Sequence, residues 1–184
     1  MVARWLREDH DFTVWDADVI AREVTAPSGS AYPRLRHHLG DSFFHPDGTL
    51  NRAKLRHHLS HDATIASLLN QEVLPHLIRN LRQKVASSLA LGHRPVFVEG
   101  ATILEHGNAH QYDGILLITA EDDIRLQRLM GRDHMTQQDA LALMARQMPE
   151  SEKRRLATWI IDNNQDVPTL QAAVAKFAMS CRTP

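Results

Sequence analysis

Val2, Trp5 and Leu6 recur at helical spacing at the head of the chain, so residues 2 to 9 (VARWLRED) predict a helix with no N-cap before it. Phe12 to Trp15 form a short β-rich run that ends on Asp16-Ala17-Asp18. Residues 19 to 24 return to a helical pattern, which Pro27-Ser28-Gly29 breaks. The stretch from about 31 to 91 is mostly helical, punctuated by Gly40 and the turn His45-Pro46-Asp47-Gly48. Thr49 is expected to cap a helix carrying Leu50, Leu55 and Leu59. A long amphipathic segment follows, with Ile65, Leu68, Leu69, Val73, Leu77, Leu81 and Val85 on its apolar face; Pro75 should kink or divide it, and Gly92 stops it. Pro95 to Glu99 and Gly114 to Thr119 are continuous apolar runs, the pattern of strands covered on both faces. Arg125 to Gly131 read as a basic helix end, 136 to 147 as a helix, Trp159 to Asp162 as a last strand, and about 168 to 179 as a final helix. Strands separated by helices predict an α/β fold whose parallel sheet is joined by crossover connections.

Length and composition narrow this picture without changing it. The 184 residues suit one domain, or one domain with a small inserted subdomain, and 43% hydrophobic residues are enough for a core. The formal net charge of -1 argues against a nucleic-acid binder held by a global field and favours small anionic ligands met by local cations. Cys181 is the lone cysteine, so no intrachain disulfide and no Cys-based zinc site can form, which points to a reducing compartment. No apolar leader core and no 18-residue apolar window are present, so no membrane span is expected and the cytoplasm is the expected location.

The candidate chemistry lies at strand and helix ends. Asp16-Ala17-Asp18 follows a strand, where open parallel sheets place their ligand crevice. Its carboxylates could take a proton from a hydroxyl or hold hydrated Mg²⁺; equally, they could be a turn and the N-cap of the next helix. Glu99 also ends an apolar strand, where a carboxylate can order Mg²⁺ through water, or simply be a polar strand end. Arg125, Arg128 and Arg132 recur at three- and four-residue spacing on one helical face. Their guanidinium forks suit phosphate oxygens, though a solvated face would look the same. His37-His38, His57-His58 and His61 include an i, i+4 pair, His57 and His61, without an HExxH pattern, so a helix surface is the plainer reading. Trp5, Trp15 and Trp159 are read as packing residues.

In order and spacing, the segments DADVIAREV (16 to 24), GSAYPRLRHHLGDSFFHPDGTLNRAKLR (29 to 56), VFVEG (96 to 100), RLMGRD (128 to 133) and WIIDNN (159 to 164) resemble the dephospho-coenzyme A kinase family over nearly the whole chain. The resemblance implies a P-loop NTPase-like three-layer fold. It would comprise a single kinase-like domain over 1–184, a helical coenzyme-side insertion over about 31–91 and a small lid over about 122–147. It implies ATP and dephospho-coenzyme A as substrates, with Mg²⁺. Asp18 would accept the proton of the ribose 3′-hydroxyl, with Asp16 assisting. Arg22 and Glu105 would lie on the coenzyme side, and Arg132 with Arg128 would close over the ATP phosphates.

The chain departs from the family pattern at three places. Ala101 stands where the family carries a proline, Leu74-Pro75 stands for its His-Pro pair, and no GxxxxGK[ST] segment precedes the first helix. The 184 residues are therefore expected to lack the first strand and phosphate loop, as though an internal Met had been read as the start; roughly fifteen to twenty upstream codons would supply them. The chain as given is then expected to be nearly inactive. The competing readings are a non-catalytic chain that docks a coenzyme A-like nucleotide or a partner protein, and another small P-loop kinase for nucleosides or sugars.

Overall fold

Each apolar run that ends on a polar residue becomes a short parallel strand. In the computed structural model, β1 (Thr13–Asp16) pairs with β2 (Val96–Glu99), with Thr13 opposite Val96 and Asp16 opposite Glu99. Likewise β3 (Leu116–Thr119) pairs with β4 (Trp159–Asp162), with Thr119 opposite Asp162. The structure describes all residues except 60–62, 101, 102, 105, 106, 108, 135, 146, 183 and 184, and leaves undescribed the side chains of 56, 57, 59, 63 and 133. Glu105, Ala101, His61 and the side chain of His57 therefore lie outside the described residues.

The chain divides into two compact units, Met1–Asp11 with Ala101–Pro184, and Phe12–Gly100. The second unit holds β1, α2 (Ala17–Val24), α3 (Tyr32–Leu39), α4 (Arg52–Leu59), α5 (Ala63–Glu72), α6 (Leu74–Ala90) and β2. Ile20, Val24, Ala31, Leu35, Phe43, Leu50, Leu55, Val73 and Leu81 form its core, a mainly helical one. The predicted break at Pro75 divides α5 from α6, and the proline sits in the first turn of α6, where its missing N–H costs nothing.

The turn before α4 differs from expectation. Thr49 caps nothing; its N–H and hydroxyl both donate to Asp47 Oδ1, at 2.9 and 2.7 Å. Asn51 takes the capping role instead, accepting from Lys54 N at 2.9 Å, so α4 begins at Arg52 and Leu50 instead bridges to Phe44. The turn Asp47-Gly48-Thr49 thus consumes the residue that the pattern assigned to the helix. Gly48 takes φ of 82° there, a conformation that excludes most side chains.

The first unit comprises α1 (Val2–Glu8), β3, α7 (Asp122–Asp133), α8 (Gln137–Met144), α9 (Glu150–Leu156), β4 and α10 (Val167–Ser180). Ala3, Trp5 and Leu6 of α1 are buried, as are Val174, Phe177 and Ala178 of α10, the helix against which α1 packs. The short helix α9 was not among the expected elements. Strands β2 and β3 are less covered than their apolar runs predict: Val96, Phe97, Val98, Leu116, Leu117 and Ile118 are half-buried and only Thr119 is buried, while Trp159 and Ile160 of β4 are 42% and 39% exposed. Among the described residues each sheet has two strands, so every strand is an edge with a neighbour on one side. Trp5 is buried and Trp15 half-buried, as packing residues should be, whereas Trp159 meets the Phe177 ring edge-on at 5.4 Å and lies close against Gly114 while remaining 42% exposed. No helix among the described residues is long and apolar enough to cross a membrane.

Candidate active site

Strand β1 delivers Asp16 to its carboxyl end, and α2 begins at the next residue. The Asp16 carboxylate is the N-cap of that helix: Oδ1 accepts from Asp18 N at 2.8 Å and from Val19 N at 3.2 Å. Extended backbone therefore stops at Asp16, and Asp18 belongs to a helical turn, so the two carboxylates do not share a strand face. The capping reading of Asp16 holds, and the cap leaves Asp18 exposed in the first turn of α2, at the helix end that favours negative charge. Arg22 stands one turn further on the same helix, at i+4 from Asp18, and is exposed. Replacing Asp16 by Ala should lower unfolding free energy by about 1 kcal/mol, and by Ser or Asn much less; denaturant titration of the three variants checks this.

Glu99 ends β2 directly opposite Asp16 and is exposed. Asp16 and Glu99 thus stand side by side at the carboxyl ends of two parallel strands, the edge where α/β sheets bind ligands, and Asp18 follows Asp16 by two residues in α2. Among the described residues no group of three or more His, Cys, Asp or Glu side chains forms a metal cage. As hard oxygen donors at a sheet edge, these carboxylates suit a magnesium ion that keeps most of its waters.

The DGTLNR segment, distinctive in the sequence, is built into the fold of the chain's second unit. Arg52 donates from Nη2 to the buried Thr25 hydroxyl at 2.6 Å, just beyond the end of α2. Tyr32 donates to the Gly48 carbonyl at 2.7 Å and accepts from Arg36 Nη1 at 2.9 Å. Bonds from the Thr49 hydroxyl and N–H hold the Asp47 carboxyl below the usual carboxylate range. Glu72 of α5 faces Arg34 and His38 of α3, at 3.5 and 3.6 Å.

The arginines of the first unit have separate surroundings. Arg125 donates to Gln147 Oε1 at 2.9 Å and to Asp122 Oδ1 at 3.1 Å. Arg128 spends its terminal nitrogens on the carbonyls of Asn163, at 2.7 Å, and Gln165, at 3.4 Å. Arg132 is exposed in the last turn of α7, before His134 ends the helix at φ of 52°. Helical spacing brought the three to one face, but two of them bond to segments 20 to 40 residues away in sequence, which spacing alone does not reveal. The signal for α9 was available: Glu150 and Glu152 after a proline, then Lys153, Arg154 and Arg155, is the charge order that complements a helix dipole.

Parallel strands alternating with helices in each unit give the α/β fold of the P-loop kinases. The chain belongs to the dephospho-CoA kinase family, whose pattern it matches over residues 1–169. It is 34% identical to the dephospho-CoA kinase of Moorella thermoacetica over 161 residues, covering 86% of this chain and 76% of that one. Among solved structures it is similar to TT1252 from Thermus thermophilus, with a TM-score of 0.78 and 27% identity over 100% of this chain and 91% of the other. It shares its fold with a dephospho-CoA kinase from Campylobacter jejuni, with a TM-score of 0.70 and 17% identity over 97% and 89% of the two chains.

Proposed function

We propose that this chain serves the transfer of the γ-phosphoryl group of ATP to the ribose 3′-hydroxyl of dephospho-CoA, giving coenzyme A, in the cytoplasm. The observation that carries this reading is the position of Asp18, an exposed carboxylate in the first turn of a helix immediately beyond the end of β1. A carboxylate there accepts the hydroxyl proton as the ribose oxygen bonds to the γ-phosphorus and the bond to the leaving ADP oxygen breaks. Asp16 holds the helix start that sets the direction of Asp18, and so acts through position as much as charge. Arg22 and the helices of 31–91 form the coenzyme side of a single kinase-like domain.

Arg132, at the end of α7, closes over the ATP phosphates; a guanidinium fork there offsets charge on the transferring group. Arg128 enters this clamp only by giving up its two carbonyl partners. Asp16 and Glu99 would hold Mg²⁺ through water, and the ion would neutralise charge between the phosphates.

Calorimetric titration of residues 1–184 with dephospho-CoA tests the coenzyme half of this reading. Saturable binding, weakened at least about tenfold by Arg22→Ala, is expected, since a charge-assisted contact is worth about that factor. Absence of any binding heat and of any shift in melting temperature would contradict it.

A further inference from the structure

We propose that Glu150 is a positioning residue, the hub of a charged strut that fixes the base of the lid and thereby aims Arg132. The inference rests on the role given to Arg132 above, but its geometry stands independently of it. Five charged side chains alternate in sign along the strut: Asp122, Arg125, Glu150, Arg154 and Asp162. Arg125 Nη1 lies 3.1 Å from Asp122 Oδ1 and 3.9 Å from Glu150 Oε2, and Arg154 Nε lies 3.2 Å from Glu150 Oε1. The buried Thr119 hydroxyl donates to Glu150, and Arg154 pairs with Asp162. Asp162 also holds the Arg154 guanidinium above its ordinary pKa, chiefly through that hydrogen bond.

The anchors of the strut are not arbitrary. Thr119 and Asp162 are register partners at the carboxyl ends of β3 and β4, so both grip α9 at the same level of the sheet. From there the chain of contacts passes through Glu150 to Arg125, which also holds Gln147 at the far end of the α8 segment. One carboxylate therefore links the sheet, α9, the α8–α9 connection and α7.

Apolar packing alone would hold this hairpin loosely. Helices α7 and α8 border an open hollow of about 380 Å³, floored by Leu126, Leu141 and Met144, with Arg125, Gln147 and Glu150 on its wall. Leu141 remains 48% exposed. A poorly filled interface leaves an element free to open locally, whereas directional contacts at its base define one geometry. Glu150 and Arg125 are both about three-quarters covered, at 27% and 25% exposure, so their attraction is less screened than that of a surface pair.

Arg132 lies seven residues along α7 from Arg125, on the order of 10 Å of helix. A tilt of roughly 10° at the base would therefore carry the Arg132 backbone by about 2 Å, and displacements of this size at a transferring group cost about 10²-fold in rate. The strut is thus the part of the lid on which the aim of Arg132 depends, although none of its members need touch a nucleotide.

The test compares wild type with Glu150→Gln, which keeps the shape and the Thr119 contact, and Glu150→Ala, which removes both. Amide hydrogen exchange is read along the chain together with steady-state kinetics on dephospho-CoA and ATP. Glu150→Ala should speed exchange over 122–147 about tenfold while β3, β4 and α10 stay within about twofold, the mark of local rather than global opening. It should lower kcat about tenfold with KM for dephospho-CoA unchanged, and Glu150→Gln should fall between the two proteins. Unchanged exchange over 122–147 would overturn the proposal. So would equal acceleration throughout the first unit, which would make Glu150 a residue of general stability. The kinetic arm uses each protein preceded by a β-strand and a GxxxxGK[ST] loop; if that form of the wild type shows no turnover, the functional reading fails while the exchange arm still decides the strut.

Discussion

Asp18→Asn should lower phosphoryl transfer to dephospho-CoA by about 10²–10⁴-fold, the range that a positioned general base contributes. The amide keeps the volume and the place of the side chain but no longer takes up the hydroxyl proton. Asp18 is exposed and its side chain has no hydrogen bond or ion pair among the described residues, the cap of α2 being Asp16. Loss of one carboxylate in a first helical turn costs only about 0.3–1 kcal/mol through the helix dipole. The effect should therefore appear in kcat, with melting temperature and KM for dephospho-CoA nearly unchanged. Asp16→Asn gives the contrasting result: the cap persists and turnover falls far less. An equal loss in both variants would assign the chemistry to the pair rather than to Asp18.

The second large effect concerns the phosphate cradle. The 184 residues contain no GxxxxGK[ST] segment. In this class of reaction the protein contributes chiefly by positioning and by electrostatic stabilisation. Removing a single preorganised donor to a developing oxyanion costs about 10²–10³-fold. A loop that offers several backbone N–H groups and a lysine should therefore matter by 10³-fold or more, on the same scale. Residues 1–184 assayed alone are expected to turn over dephospho-CoA at least about 10³-fold more slowly than the same residues preceded by a β-strand and such a loop. Parallel rate measurements on the two forms check this, and similar rates would show that this chain positions the phosphates by other means.

Much of the frame was legible because it depends on local pattern. The run WIID becomes β4 with its predicted ends, and the apolar face of residues 65 to 85 divides at Pro75 as proline chemistry requires. Local competition explains the misread turn: Thr49 and Asn51 are both good caps, and only the bonds to Asp47 decide between them. The same ambiguity ran through DAD, where strand spacing and helix capping make opposite statements about where the carboxylates point. Asp16 resolves it by capping, because the backbone turns helical at Ala17.

The surroundings of the arginines were not legible. Arg128 finds carbonyls 35 and 37 residues away, Arg52 a hydroxyl 27 away, and Thr119 a carboxylate 31 away. Such partners are set by which strands lie side by side, and no periodicity within a helix records that. Hence spacing identified arginines able to hold phosphate, while the structure shows Arg125 and Arg128 already engaged with the protein itself.

The most direct test of the central claim is to follow the product. The form carrying the strand and loop is incubated with ATP and dephospho-CoA, and the site of the new phosphate is located by phosphorus NMR. The account predicts coenzyme A, phosphorylated on the ribose 3′-oxygen, formed at a rate that Asp18→Asn lowers by about 10²–10⁴-fold. Absence of product, a phosphate on another atom, or a rate indifferent to Asp18 would contradict it.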